Sequence, residues 1–260
     1  MGQVPAATRA LRLLRYLAGQ PDPVTLDRLA SAVGLPRSTA YHLVNAMIEE
    51  GFVVHLADEH RYGLGVAAFE VGSGYVRQEP LQRIARRQLV DLADTVGHSA
   101  HLAVLHGRDV LYVLEERAPG RPPLVTDVGV RLPAHLTASG RAILAQLPAA
   151  QVRALFPDRS AFVDRHGSGP RSLGALRSLL AETRQRGYAV EEGEVTPGFS
   201  SVAAPVIDHN AHPVAGVAVT YPFAEAGGLE GVVEAVRRTA DTLTDRLGGS
   251  HRDRTGSRRG

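Results

Sequence analysis

Arg37, Ser38, Thr39, Tyr41, His42 and Asn45 all fall in the stretch GLPRSTAYHLVNAMIEEGF, residues 34–52. Their side chains are mostly short or planar donors and acceptors, of the kind that contact phosphate oxygens and base edges. Interleaved with them, Ala40, Leu43, Val44, Met47 and Ile48 share one face at helical spacing and must pack inward. An arginine at the start of such a helix is placed to fork onto a guanine, because recognition helices offer their N-terminal residues to the major groove. A surface helix with a merely solvated polar side has the same two-faced pattern, so the neighbouring elements decide between the readings.

Other spacings suggest chemistry and fail on geometry. Residues 97–101, GHSAH, differ from the G-x-S-x-G nucleophile elbow at His101, which replaces the second glycine that the sharp turn needs. His98 and His101 invite a metal, yet residues three apart on one strand point to opposite faces and cannot close on one ion. The acidic run Glu191, Glu192 and Glu194 reads as a solvated strand edge rather than a divalent site. His101 and His135 either face a ligand pocket or are satisfied structural histidines. There is no glycine-rich phosphate loop, and the absence of cysteine removes thiolate chemistry and disulfides. No catalytic set, cofactor or metal site is expected.

The elements around the first stretch give it a context. TLDRLASAVGL, residues 25–35, predicts a helix ending at Gly34, which permits the tight turn between two crossed helices. An earlier helix over 8–18 carries Leu11, Leu14 and Leu17. After the reading stretch, FVVHLADEHRYGLG alternates toward Leu56, breaks at ADEH and resumes at Tyr62 and Leu64. That pattern predicts a β-hairpin, with His60 and Arg61 available to a sugar-phosphate strand. Three helices and a hairpin in this order predict a winged helix-turn-helix domain over residues 1–65 with DNA as its partner. Six arginines are balanced there by six acids, so phosphate neutralisation per subunit is modest and a dimer or larger assembly is expected.

A linker helix over 66–79 follows, with the boundary placed near residue 77. The next helix carries Leu81, Ile84, Ala85, Leu89, Leu92 and Val96 at helical spacing. Beyond it the pattern changes to two β-rich runs over 98–116 about a turn at 106–109. Then come a short strand over 124–127, a helix from about residue 139, a polar loop over 158–169 and a helix over 173–186. Strands over 188–192, 201–207 and 214–221 and a last helix over 229–247 complete an α+β domain, residues 80–247. The tail 248–260, GGSHRDRTGSRRG, reads as disordered and basic. All 29 basic residues are arginine, the residue whose planar fork suits phosphate and guanine. Mean hydropathy is -0.08, and no apolar run approaches the roughly 20 residues of a spanning helix. A cytoplasmic protein is expected.

LASAVGLPRSTAYHLVNAMIEEGFV followed by HRYGLG resembles the DNA-binding half of the IclR family, the isocitrate lyase regulator type of bacterial transcription factor. RLPAHLTASGRAILA resembles the family's strand-to-helix segment. RGYAVEEGEVTPGFSSVAAPVID resembles its signature region, with Gly187, Glu191, Glu194, Ser201 and Asp208 at the family's spacing. Glu191 departs from the usual Asp or Ser, and Ile207 from the usual aromatic residue or His. The resemblance runs from about Ala7 to Leu247.

The resemblance implies a winged helix-turn-helix domain joined by a helical linker to an α+β, GAF-like effector-binding domain. Its bearer would be no enzyme but a ligand-responsive repressor, binding double-stranded operator DNA as a homodimer or a tetramer built as a dimer of dimers. Arg37, Ser38, Thr39, Tyr41, His42, Asn45, His60 and Arg61 would contact DNA. The effector would be a small organic acid or aromatic metabolite, held by Leu124, Ala138, Ser139, Glu191, Ser201, Ala218 and Thr220. Ser139 and Gly140 open a helix whose free N–H groups suit an anion, and Arg141 in the same turn is expected to face solvent. The alternatives are a metabolite-processing enzyme with an N-terminal interaction module, and a DNA-architectural protein with a vestigial sensor.

Overall fold

The computed structural model describes residues 4–249 apart from Glu79 and Pro122. Most of the basic tail read from the sequence, residues 250–260, lies outside the described residues. The chain divides into two compact units between Glu79 and Pro80.

The first unit runs α1 (Pro5–Ala18), α2 (Leu26–Ala32), α3 (Arg37–Glu49), β1 (Val53–Leu56), β2 (Arg61–Leu64) and α4 (Val66–Gln78). Thr25 starts α2 by accepting a hydrogen bond from the Arg28 backbone N–H, which satisfies one of the orphan donors of the first turn. Gly34 then takes the left-handed backbone, φ +67°, that turns α2 into α3 at no steric cost. Leu13, Leu29, Ala40 and Val44 are fully buried in the shared core, and Met47 and Tyr62 close it. β1 and β2 pair antiparallel from Val53↔Leu64 to Leu56↔Arg61, around a 3-10 turn at Ala57–Glu59. Val24 forms an isolated antiparallel bridge to Tyr62, which ties the hairpin back to the start of α2.

The second unit contains α5 (Pro80–Val96), β3 (Ser99–His106), β4 (Asp109–Glu116), β5 (Arg131–Pro133), α6 (Ala138–Gln146) and α7 (Ala149–Leu155). It continues with α8 (Leu173–Arg186), β6 (Ala189–Glu192), β7 (Phe199–Ile207), β8 (Pro213–Pro222) and α9 (Leu229–Arg246). The strands form one six-stranded sheet in the order β5-β4-β3-β8-β7-β6, antiparallel throughout. Leu89 of α5 and Val236 and Leu243 of α9 pack with Leu102, Val202, Val217 and Val219 in one core. Ile143 of α6, Val152 of α7 and Leu176 and Leu180 of α8 build a second core with Ala103, Val110 and Tyr112. Covering both faces explains why β7 and β8 are apolar almost without interruption.

Residues 124–127 form no strand, against the sequence expectation. Prolines 122 and 123 precede them, and proline offers no ladder donor. Asp127 instead organises a turn, its Oδ1 accepting from the Val128 N–H at 2.8 Å and its carbonyl from the Val130 N–H at 3.1 Å. Regular pairing with β4 begins only at Arg131, opposite Leu111. α7 has no counterpart among the elements that the sequence pattern predicts, because two turns are too short to show a hydrophobic period.

Small residues let α6 sit directly on the sheet. A Cβ at Gly216 would lie 2.7 Å from the Ser139 carbonyl oxygen, and one at Gly140 would run into the Ala134 backbone. Ala138 and Ala142 of α6 pack with Ala189, Ala203 and Ala218 of the strands beneath. Gly216→Ala should therefore cost about 1–3 kcal/mol, the usual range for overpacking, read from the midpoint of chemical denaturation. An unchanged midpoint would mean that α6 is free to shift outward.

Candidate functional site

On α3, Arg37, Ser38, Tyr41 and His42 are exposed, whereas Thr39 and Asn45 are half-buried at the margin of that face. Tyr41 and His42 meet edge-on with ring centroids 5.9 Å apart. Arg37 Nη1 pairs with Asp27 Oδ1 of α2 at 2.5 Å, and both side chains are about two-thirds exposed. Such surface pairs contribute about 0–1 kcal/mol, so a phosphate or base edge can displace the aspartate. At the hairpin, His60 takes a left-handed backbone, φ 51°, at the end of the 3-10 turn. Arg61 is partly spent within the protein, donating to the Pro23 carbonyl at 2.9 Å. The first unit thus gathers four of its candidates on one open helix face and sets His60 and Arg61 on the hairpin.

A small cavity opens in the second unit beside the N-terminus of α6; the space within its walls and the solvent at its mouth together come to about 360 Å³. Leu124, Ala138, Ser139, Glu191, Ser201, Ala218 and Thr220 all line it. Tyr112, Thr126, Thr137, Val195, Thr196 and Phe199 complete the wall and were not read from the sequence. Thr137 starts α6 by accepting from the Gly140 N–H at 3.0 Å, which points the first turn at the cavity. Ser139 is buried, and among the described residues its Oγ meets no hydrogen-bond partner at good geometry, although it is near enough to the Tyr112 hydroxyl to act on its pKa. On the opposite wall, Ser201 Oγ and Thr220 Oγ1 lie 2.9 Å apart on the paired strands β7 and β8.

Glu191 is 2% exposed on β6. Burial raises its carboxyl pKa to about 7, and the charge of Glu194 adds to the rise. The Val195 N–H, donating to Oε1 at 2.9 Å, offsets this in part, as do Ser201 and Arg141. Burial likewise pushes the Tyr112 phenol far above its ordinary range, against a smaller opposite pull from Ser139.

Arg141 does not face solvent. All of α6 from Ala138 to Ala145 is buried, since the helix lies flat on the sheet, and Arg141 is 2% exposed. Its guanidinium donates to the His135 carbonyl at 2.9 Å, to the Val190 carbonyl at 2.7 Å and to Glu194 Oε1 at 2.7 Å. Its planar fork joins α6 to β6 and to the loop beyond. The acidic run is correspondingly split: Glu191 faces the cavity, Glu194 is held by Arg141, and only Glu192 is exposed.

Neither His101 nor His135 lines the cavity. His101 is fully buried behind the wall, edge-on to Tyr112 and 3.4 Å from Thr126 Oγ1, and burial lowers its pKa to about 3. His135 packs edge-on to Phe156 and Phe162 and bonds to the Val163 carbonyl at 3.0 Å. His98 precedes β3 rather than sharing it with His101. It lines a smaller adjoining cavity with Arg121, Leu124, Phe199 and Thr220. Arg121 fastens the loop over the cavity by bonding both Glu225 oxygens, at 2.8 and 2.7 Å, and the Gly97 carbonyl at 2.8 Å. Among the described residues no cluster is placed to hold a metal ion, and no helix is long and apolar enough to cross a membrane.

Residues 6–57 match the IclR helix-turn-helix domain, and residues 73–245 match the family described as bacterial transcriptional regulator IclR C-terminal. A helix-turn-helix unit joined to a buried-cavity unit of this kind defines a transcriptional regulator. The chain belongs to the IclR family. It is 37% identical to the glycerol operon regulatory protein of Streptomyces coelicolor over 212 residues, 82% of each chain. The transcriptional repressor IclR of Escherichia coli is 30% identical over 85% of this chain and 81% of its own. An IclR transcriptional regulator from Alicyclobacillus acidocaldarius shares the fold at a TM-score of 0.84 and 25% identity, over 95% of this chain and 100% of its own. So does an IclR homolog from Microbacterium hydrocarbonoxydans, solved with 4-hydroxybenzoate, at a TM-score of 0.79 and 23% identity over 93% and 98% of the two chains.

Proposed function

We propose that this regulator is a repressor that binds operator DNA as a homodimer or dimer of dimers, and that a small organic effector in the cavity of the second unit switches it. One observation carries the reading: a cavity lined by the buried Ser139 hydroxyl and by Glu191, whose carboxyl pKa burial raises to about 7, in the same chain as an open polar recognition face. Perturbed groups converging in a cavity mark a binding site rather than a packed core. The names of the relatives agree, one of them a repressor and another the regulator of an operon. The homolog holding 4-hydroxybenzoate supports a ligand-bearing fold. Association is supported by α4, which leaves Val66, Phe69 and Val71 exposed; apolar surface of that kind favours a partner.

The test is retardation of DNA from the chain's own promoter region by purified protein, with and without candidate metabolites. Failure to retain that DNA under every condition would reject the reading. In the recognition face, Arg37→Ala should cost about 1–3 kcal/mol on the operator and relax its sequence preference. Equal weakening on operator and random DNA would assign Arg37 to phosphate contact instead.

A further inference from the structure

We propose that Asp27 is a positioning residue for DNA reading: its carboxylate holds the Arg37 guanidinium at the start of α3 in a pose that forks onto a guanine edge, and keeps that arginine from settling on phosphates at large. This rests on the operator-binding reading above, with α3 as the helix that meets DNA.

An exposed carboxylate beside a DNA-contacting arginine lowers affinity for any duplex, since such affinity comes from neutralising phosphates. Asp27 stands there nonetheless. Its Oδ1 lies 2.5 Å from Arg37 Nη1, linking the first turn of α2 to the first residue of α3, and both side chains are about two-thirds exposed. The contact takes one of the five N–H donors of the guanidinium, so Nη2 and Nε stay open to a base. Guanine offers O6 and N7 side by side, which two parallel N–H groups of a planar fork match. A fork already held loses less rotamer freedom on docking, and that gain goes to the duplex with a guanine in reach. A phosphate gains nothing from the pose and meets the Asp27 charge as well, so the pair selects by attraction and by repulsion. Arg28 and Arg61 are held mainly by neutral groups, the Tyr16 hydroxyl at 3.1 Å and the Pro23 carbonyl at 2.9 Å, with Glu59 3.9 Å from Arg61. Of these three arginines, Arg37 is the one in hydrogen-bond contact with a carboxylate.

Asp27 is also favoured by its place in the first turn of α2, where the helix N-terminus attracts an anion. That role leaves base preference untouched, so the two are separable. Filter binding of the full chain to its own promoter fragment and to a shuffled duplex of the same length and composition, across a range of salt, separates them. Asp27→Asn should narrow the ratio of promoter to shuffled affinity about three- to fivefold per half-site, the size that an exposed ion pair sustains. Most of the change should come from tighter binding to the shuffled duplex, with a steeper salt dependence there as the freed arginine finds a phosphate. In the Arg37→Ala background the same substitution should leave the ratio unchanged, because the lost repulsion then strengthens both duplexes alike. Asp27→Ala takes the place of the asparagine variant if that one fails to fold. An undiminished ratio overturns the proposal, and so does an equal loss in both backgrounds, which would have Asp27 act apart from Arg37. Unaltered protein with no preference for its promoter rejects the operator-binding reading itself; a preference that the variants keep in full rejects only the role of Asp27.

Discussion

Arg141→Met is expected to lower the stability of the second unit by about 3–5 kcal/mol, the range for removing one partner of a buried ion pair. The loss arises because Glu194, 13% exposed at its side chain, would keep its charge without the guanidinium, and two buried carbonyls would lose their donor. Methionine matches the length of the stem, so the change isolates the fork from the packing of its methylenes. Arg141→Lys should recover part of the loss, since an ammonium offers charge but not three donors in one plane. Urea denaturation followed by circular dichroism measures both, the chain having no tryptophan to report by fluorescence. A loss below about 1 kcal/mol would show that water replaces the fork, as at an ordinary surface pair.

The second large effect concerns pH. The Glu191 carboxyl titrates at about 7 when folded, against an ordinary value of 4.5. Between those values the unfolded chain has released this proton and the folded chain retains it, so stability falls as pH rises through the window and levels off above about 7. The total contribution is about 3 kcal/mol. Glu191→Gln should remove that slope, leaving the variant more stable than the parent at pH 8 and close to it at pH 4.5. Denaturation midpoints of both proteins across this range provide the check, and the other titrating groups cancel in the comparison. Parallel pH profiles would mean that Glu191 ionises freely and that water reaches it.

Much of the architecture was legible because it follows from period and capping. The helix at 37–49 shows its apolar spacing, Gly34 marks the turn before it, and Thr25 stands where an orphan N–H group needs an acceptor. What escaped was what depends on which face of an element meets which neighbour. Arg141 reads as a solvent residue on any isolated helix; only the flat seating of α6 on glycine and alanine buries it. Tyr112, Thr126 and Phe199 come from three separate segments, and nothing local to any of them announces a shared cavity. Residues 124–127 carry a strand-like composition, but the turn at Asp127 interrupts them before regular pairing with β4 begins at Arg131.

The seating of α6 also bears on how such a cavity could be remade. At Gly216 the strand already touches the Ser139 backbone of α6, and at Gly140 the helix touches the Ala134 backbone of the segment that leads into it, so neither position admits growth. Ala218, two residues along the same strand from Gly216, has both duties, lining the cavity and packing under Ala138 and Ala142, whereas Leu124 and Phe199 line the cavity from outside that seat. The scaffold's tolerance and the ligand's fit are thereby assigned in large part to different segments. A library restricted to 124 and 199 would vary the volume offered to a guest while the helix stays in place, which is the separation of duties that a tunable biosensor requires.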